Sequence, residues 1–303
     1  MRLSITLAKI ATTATWAATR QDRHGRIVPP VLCYHRVLPT VAGVRERPDY
    51  SVSPTQFADQ LSLLNDEGFT SLTLHEYFDT ANGSRELPAR SVLVTFDDGF
   101  ADNYSAAWPI ARRLGVKLNL FVCTGLVAGD SVSAFAEDNA RAELSRQNFP
   151  EHWQPLSWDQ LREMMAGGVE IGFHSHRHRN LGQLTEEEIA SDTSEGISVF
   201  KRHLGVAPRF FAFPFGHYGS YPDNAIGVLS AQGVEMFFTT ELGRTPVGRA
   251  GRLFSRIVIH PEDDLSSFRR KLFGGYDWVG RLRRSIYSLR ASLGHYSRKF
   301  SRA

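Results

Sequence analysis

Ser91-Val92-Leu93-Val94-Thr95-Phe96-Asp97-Asp98-Gly99 is an apolar run that ends in two adjacent carboxylates. Valine, leucine and phenylalanine in a short continuous run suit a parallel strand buried on both faces. Two acids at the end of such a strand repel each other and lose hydration unless a cation or a proton compensates. Neighbouring residues of a strand point to opposite sides, so one acid can ligate a metal while the other moves protons. Asp-Asp-Gly also suits a turn or a helix cap, and this run alone does not separate the two readings.

A second run, Val169-Glu170-Ile171-Gly172-Phe173, leads straight into His174-Ser175-His176-Arg177-His178. Three histidines at alternate positions after a strand make poor core filler, and their clustering at a strand end points to metal. His174 and His178, four apart, can face one centre if the loop curls into a helical turn. With Asp98 they offer two nitrogens and one oxygen and leave a position open for water, as catalytic zinc sites do and closed structural sites do not. His176 can substitute for one of the pair; the expectation is that it points away.

Thr95-Phe96-Asp97-Asp98-Gly99 followed by His174-Ser175-x-x-His178 resembles the first two motifs of the polysaccharide deacetylases, the NodB-homology or carbohydrate esterase 4 group. The resemblance runs from roughly Val28 to His260. It implies that Asp98, His174 and His178 bind a divalent metal, usually zinc, and that Asp97 is the catalytic base. The implied reaction removes N-acetyl groups from amino sugars of a glycan, with surface glycan or exopolysaccharide biosynthesis as the setting.

Arg209-Phe210-Phe211-Ala212-Phe213-Pro214-Phe215-Gly216 is similar to the third motif of that family, a strand ended by proline and glycine. There the backbone amide after the proline helps hold the oxyanion, a role that falls to Phe215, with Pro214 and Gly216 shaping the turn. Ala212 stands where many members carry an arginine that orients the base, although some members have alanine. Arg256, in Phe254-Ser255-Arg256-Ile257-Val258-Ile259, is a candidate to hold Asp97; a surface salt bridge is the alternative.

The general acid has two candidates. Ile257-Val258-Ile259-His260 matches the family's late Leu-x-His motif only in part. Val31-Leu32-Cys33-Tyr34-His35-Arg36-Val37 looks like the opening strand of a circularly permuted branch that includes exopolysaccharide N-deacetylases, whose early histidine supplies the acid. A histidine ending an apolar strand titrates near neutrality and can protonate a leaving amine. His35 is preferred over His260, the alternative being that His35 only hydrogen-bonds the barrel rim.

The 303 residues are 42% hydrophobic, enough for one full core. Strand and helix patterns alternate along the chain, which implies a parallel sheet closed into a distorted (β/α)7-type barrel with its chemistry at the carboxyl ends of the strands. The expected organisation is an N-terminal segment over 1–27, a deacetylase-like domain over 28–262 and a helical basic extension over 263–303. Expected helices include Ala106–Leu114 and one beginning at Thr185, and Ser255–Ile259 reads as a single strand. Val127–Pro155 is irregular and fits either a lid with Phe135 and Trp153 or a plain insertion. The two cysteines, Cys33 and Cys123, sit in apolar runs and read as buried free thiols.

Seven of the 35 Lys/Arg and none of the 32 Asp/Glu fall between Trp278 and Ala303, so the rest of the chain is net acidic. Leu282, Ile286, Leu289, Leu293 and Tyr296 recur among those cations at helical spacing, the pattern of an amphipathic helix that rests on an anionic membrane or docks on the barrel. No reader motif accompanies the cations, which argues against nucleic acid. Met1–Gln21 lacks acids, but Lys9 and many threonines interrupt it, so a signal peptide is not expected. No apolar stretch reaches the ~18 residues of a spanning helix, and the expected location is cytoplasmic or peripheral to a membrane. Two alternatives to the deacetylase stay open: a catalytically weak glycan-binding or assembly protein, and an O-acetyl esterase.

Overall fold

The apolar runs form strands β1 (Val31–Tyr34), β2 (Arg36–Val37), β3 (Ser51–Val52), β4 (Thr70–Leu72), β5 (Ser91–Phe96), β6 (Asn119–Val122), β7 (Glu170–Phe173), β8 (Phe210–Ala212), β9 (Met236–Thr239), β10 (Leu253–Ser255) and β11 (Ile257–Val258). A computed structural model describes residues 29–39, 50–86, 88, 90–127, 129, 150–243, 252–280, 282, 283 and 285. Nine of the strands make one parallel sheet in the order β10-β9-β8-β7-β6-β5-β1-β11, with β4 also on β5; β2 and β3 pair separately. Its two end strands, β10 and β11, are separated in the chain by Arg256 alone, so the sheet curls until its ends nearly meet. This is the expected distorted barrel, helices outside, in one domain.

β5 lies at the centre of the sheet. Along one side it pairs with β1, Val31 opposite Leu93 through Tyr34 opposite Phe96. On the other side β4 takes its first half and β6 its last two residues. Buried Asn119 sits at that fork, where its amide donates to the carbonyls of Leu72 and Val94, 3.1 Å each, and accepts from the Leu74 N–H at 2.9 Å. All six β5 residues are buried, as a strand covered on both faces requires. Alternation sorts them: Val31, Leu93, Phe121, Ala212, Phe238 and Phe254 pack together in one cluster, whereas Leu32, Val92, Val94, Phe96 and Leu120 pack in another with the helices Pro54–Asp66 and Trp158–Ala166.

The helices start where the side chains predict. Ser53 caps Pro54–Asp66, and Thr185 with Glu188 forms a reciprocal capping box on Glu186–Leu204, which ends at Gly205 with φ 76°. Two expectations are corrected. The helix expected over Ala106–Leu114 begins earlier, as a wide turn over Asn103–Ala107 that runs into Trp108–Arg113; Pro109 has no N–H to continue a regular ladder. The single strand expected over Ser255–Ile259 is two strands with different partners, β10 on β9 and β11 on β1, and the change of partner falls at Arg256, whose side chain runs inward. Residues 278–280, 282, 283 and 285 are helical and Leu282 is exposed, whereas the remainder of the basic segment, Met1–Gln21 and most of 127–155 with Phe135 lie outside the described residues. Among the described residues no helix is long and apolar enough to cross a membrane.

Helix Glu186–Leu204 lies against β7 through Gly196, where an added Cβ would stand 2.4 Å from Phe173 Cζ and 2.7 Å from its Cε2. Helix propensity favours alanine there by about 1 kcal/mol, but the Phe173 ring is fully buried and cannot swing aside. Overpacking, about 1–3 kcal/mol, wins. Gly196→Ala is therefore expected to lower the urea midpoint; an unchanged or higher midpoint would show that the contact is loose.

Candidate active site

The chain leaves β5 at Phe96, and the next inward position is Asp97, in register with the interior cluster. Its carboxylate is fully buried and gripped by Arg256, Nη1 to Oδ1 at 2.6 Å and Nη2 to Oδ2 at 2.7 Å. Arg256 is itself completely buried and anchored on the Thr239 carbonyl through Nε at 3.2 Å. Its placement is a two-pronged internal ion pair, not a surface one. Cys33, two residues before His35 on β1, directs its thiol at Asp97 Oδ2, 3.5 Å away. Burial alone would raise the Asp97 pKa, but the Arg256 charge, with His174 and His35, outweighs it and holds the carboxyl well below the ordinary range. Burial also pushes the Cys33 thiol well up, so it stays protonated and donates. Cys33 and Cys123 are both free thiols.

Asp98 falls on the opposite parity and would face the helix layer. A left-handed backbone, φ 75°, turns it back into the site. There its Oδ1 lies 3.5 Å from His174 Nε2 and 3.6 Å from His178 Nε2, buried and without a hydrogen bond among the described residues. His174 Nδ1 is 2.8 Å from the Ala212 carbonyl. A carbonyl only accepts, so Nδ1 carries the proton and Nε2 presents its lone pair. Burial lowers the pKa of both histidines to about 4, which keeps both rings neutral, and it raises that of Asp98. The three ligand atoms all lie within 4.8 Å of one another. Two neutral imidazoles and an orphaned carboxylate oxygen are a donor set that suits a divalent metal. His176 turns away: its Nδ1 is 2.9 Å from Thr124 Oγ1 and its Nε2 3.4 Å from Glu195.

Beyond β8, Gly216 N–H donates to the Pro214 carbonyl at 2.7 Å, a three-residue turn that leaves Phe215 at φ 62°. The Phe215 ring is exposed at the rim, 4.9 Å from the His178 ring. Across from it, a nitrogen of His35 lies within 4.8 Å of both Cys33 Sγ and an Asp97 oxygen. His35 Nδ1 is buried and has no hydrogen-bond partner among the described residues, and the ring stacks on Tyr50, 4.9 Å between centroids and 27° between planes. His260 packs on the same Tyr50 ring at 5.3 Å, is exposed, and is not in the group around Asp97. Arg36 is buried on Asp102 at 2.6 Å with its guanidinium over the Phe100 ring at 3.8 Å. Among the described residues the non-glycine positions with positive φ are Tyr50, Asp98, Ser175, His178 and Phe215, and all five belong to this site. Sequence reasoning missed Tyr50 and the Cys33 contact. The alternation of Cys33 with His35, the residue after β1, was the available signal for the second.

A family model described as polysaccharide deacetylase matches residues 84–237, half of the chain, including Asp97, Asp98, His174, His178 and Phe215. The chain belongs to the polysaccharide deacetylase family. YxkH of Bacillus subtilis is 23% identical over 239 residues, covering 79% of this chain and 74% of that protein. The poly-beta-1,6-N-acetyl-D-glucosamine N-deacetylase of Staphylococcus aureus is 25% identical over 206 residues, 65% of this chain, and the match spans 63% of that relative. Among solved structures, IcaB from Ammonifex degensii superposes with a TM-score of 0.61 at 28% identity, over 80% of this chain and 94% of that one. The Streptococcus pyogenes deacetylase PplD, solved with acetate, superposes with a TM-score of 0.67 at 21% identity, over 81% and 98% of the two chains.

Removing the Arg256 charge strands a buried carboxylate. Arg256→Leu is expected to cost about 3–5 kcal/mol of unfolding free energy, measured by urea denaturation. The histidines give a pH signature in chelated protein. Their folded pKa values of about 4 lie below the ordinary 6.5, so the unfolded chain takes up protons first as pH falls. Stability is unaffected by them above pH 6.5 and declines from there to about 4. The raised Asp98 acts with opposite sign, one carboxyl against two imidazoles. The melting temperature of chelated protein should therefore drop steadily across that window, and zinc at neutral pH should raise it.

Proposed function

We propose that the protein is a metal-dependent N-deacetylase acting on N-acetylated amino sugars of a polysaccharide. The observation that carries the reading is the division of labour between adjacent acids: Asp97 is ionised and clamped by Arg256, while Asp98 Oδ1 faces two neutral imidazole nitrogens without a hydrogen bond. Asp98, His174 and His178 are the residues that would hold the metal, zinc being the first choice for this donor set. When bound, a divalent ion supplies Lewis-acid polarisation of the acetamide and a water of lowered pKa.

The chain's own groups do the rest. Asp97 accepts the proton of the attacking water; its low proton affinity when free is matched by a fixed orientation that the two guanidinium prongs impose. The Phe215 amide donates to the oxygen that gains charge, and the strained Pro214–Gly216 turn keeps it in place without rearrangement. His35 gives a proton to the departing amine. Its unpartnered Nδ1 and its proximity to Asp97 favour it over His260. Arg256 takes the orienting part that Ala212 cannot. The name of the Staphylococcus relative favours a poly-N-acetylglucosamine substrate, and with it exopolysaccharide synthesis. The basic segment 278–303, which carries no acid, is suited to hold the protein at an anionic membrane surface.

The test is acetate release from β-1,6-linked N-acetylglucosamine oligomers, with O-acetylated sugars and chelated enzyme in parallel. Chelation should abolish release and zinc restore it. Asp97→Asn should keep the metal and lose at least about 10²-fold in kcat. Turnover of only the O-acetyl substrate would make this an esterase, and glycan binding without any turnover would make it a binding protein.

A further inference from the structure

Two metal ligands in a five-residue loop, His174 and His178, are held by a backbone that does not hold itself. Ser175 has φ 67° and His178 φ 51°, left-handed conformations that are unfavourable for non-glycine residues and persist only when their surroundings impose them. Within the loop, Ser175 Oγ accepts from the His178 N–H at 2.9 Å. The external hold falls on the residues between the ligands. Asp192, on helix Glu186–Leu204, accepts from the His176 N–H through Oδ2 at 3.0 Å and lies 3.4 Å from Arg177 Nη1 through Oδ1. The His176 carbonyl accepts from Gly125 N–H at 2.9 Å and its ring bonds Thr124, so this residue is pinned at its amide, its carbonyl and its side chain.

We infer that Asp192 is a positioning residue for the metal-ligand loop, setting the affinity of the Asp98–His174–His178 site from behind it. Asp192 is 5% exposed, and a carboxylate in mid-helix at such depth persists only where donors meet it. The donors here belong to the segment joining the two histidines. The helix approaches closely enough because Gly196, one turn on, lets it lie against Phe173, the residue before His174. Without this anchor the loop must be ordered each time the ion binds, which draws on binding free energy. Outer groups that orient ligands typically change metal affinity 10–100-fold.

The inference rests on the metal reading above, and the experiment separates the two. Zinc affinity is measured by competition with a chromophoric chelator for the unaltered chain, Asp192→Asn and Asp192→Ser, together with visible absorption of the cobalt(II) forms. The serine variant is too short to reach the His176 amide. It should bind zinc at least about 10-fold more weakly, with a shifted cobalt spectrum and acetate release recovered at saturating zinc. Asn, of equal size and with a carbonyl oxygen for that amide, should stay close to the unaltered chain. Affinity of the serine variant equal to that of the unaltered chain overturns the inference; failure of the unaltered chain to take up zinc overturns the metal reading instead. Should the serine variant not fold, hydrogen exchange of the His176 amide in unaltered metal-free protein decides: slow exchange supports a preformed anchor, and fast exchange refutes it.

Discussion

A fully buried arginine facing a fully buried aspartate is the constraint on which the rest of this structure depends. Taking both charges out of water is costly, and packed hydrophobic side chains would serve stability as well or better. What the pair supplies is position. Arg256 is the residue between β10 and β11, the two ends of the sheet, and its prongs reach across the interior to Asp97 at the end of central β5. Near-closure of the barrel and the orientation of the proposed base are thus one event. The same contact separates two adjacent acids electrostatically. The guanidinium keeps Asp97 ionised against its burial, while burial pushes Asp98 toward protonation unless another cation arrives.

Around this pair the backbone departs from ordinary geometry, and the departures are local. Asp98, Ser175, His178 and Phe215 occupy left-handed positions at the ends of β5, β7 and β8, and Tyr50 does so where it stacks on His35. Strand parity would send Asp98 to the helix side and only Asp97 inward; one left-handed residue brings both carboxylates to one place. Such strain is held by buried polar contacts behind the loops, notably those of His176, whose ring is turned from the proposed metal centre to Thr124 and Glu195. Strained residues at a site and satisfied polar groups behind it are two sides of the same construction.

The segment matched by the family model, residues 84–237, holds Asp97, Asp98, His174, His178 and Phe215, but neither His35 nor Arg256. His35 directly follows β1 and Arg256 directly precedes β11, strands that are parallel neighbours on one side of β5. The likeness to IcaB from Ammonifex degensii, over 80% of this chain, is longer than that segment. In this chain an arginine from the far end of the sequence faces the acid, and alanine stands at 212, where its carbonyl, not its side chain, meets the site by fixing the His174 tautomer.

Much was legible from residue order alone, because local chemistry carries it. Continuous apolar runs predicted the buried parallel strands, Thr185 predicted the start of its helix, and residue type with strand-end placement marked Asp97, Asp98, His174 and His178. The same reading left Arg256 undecided between the interior and the surface, and it preferred His35 over His260 as the acid. It drew one strand through Arg256 and saw nothing in Tyr50, Asn119 or Asp192. The surroundings of Arg256, Asn119 and Asp192 are decided by partners 16 to 161 residues away, such as His176 for Asp192 and Thr95 for Arg256. Periodicity and capping report what a residue does to its own neighbourhood; whether a charge is paired, a strand broken or a loop pinned depends on what the closing barrel brings beside it.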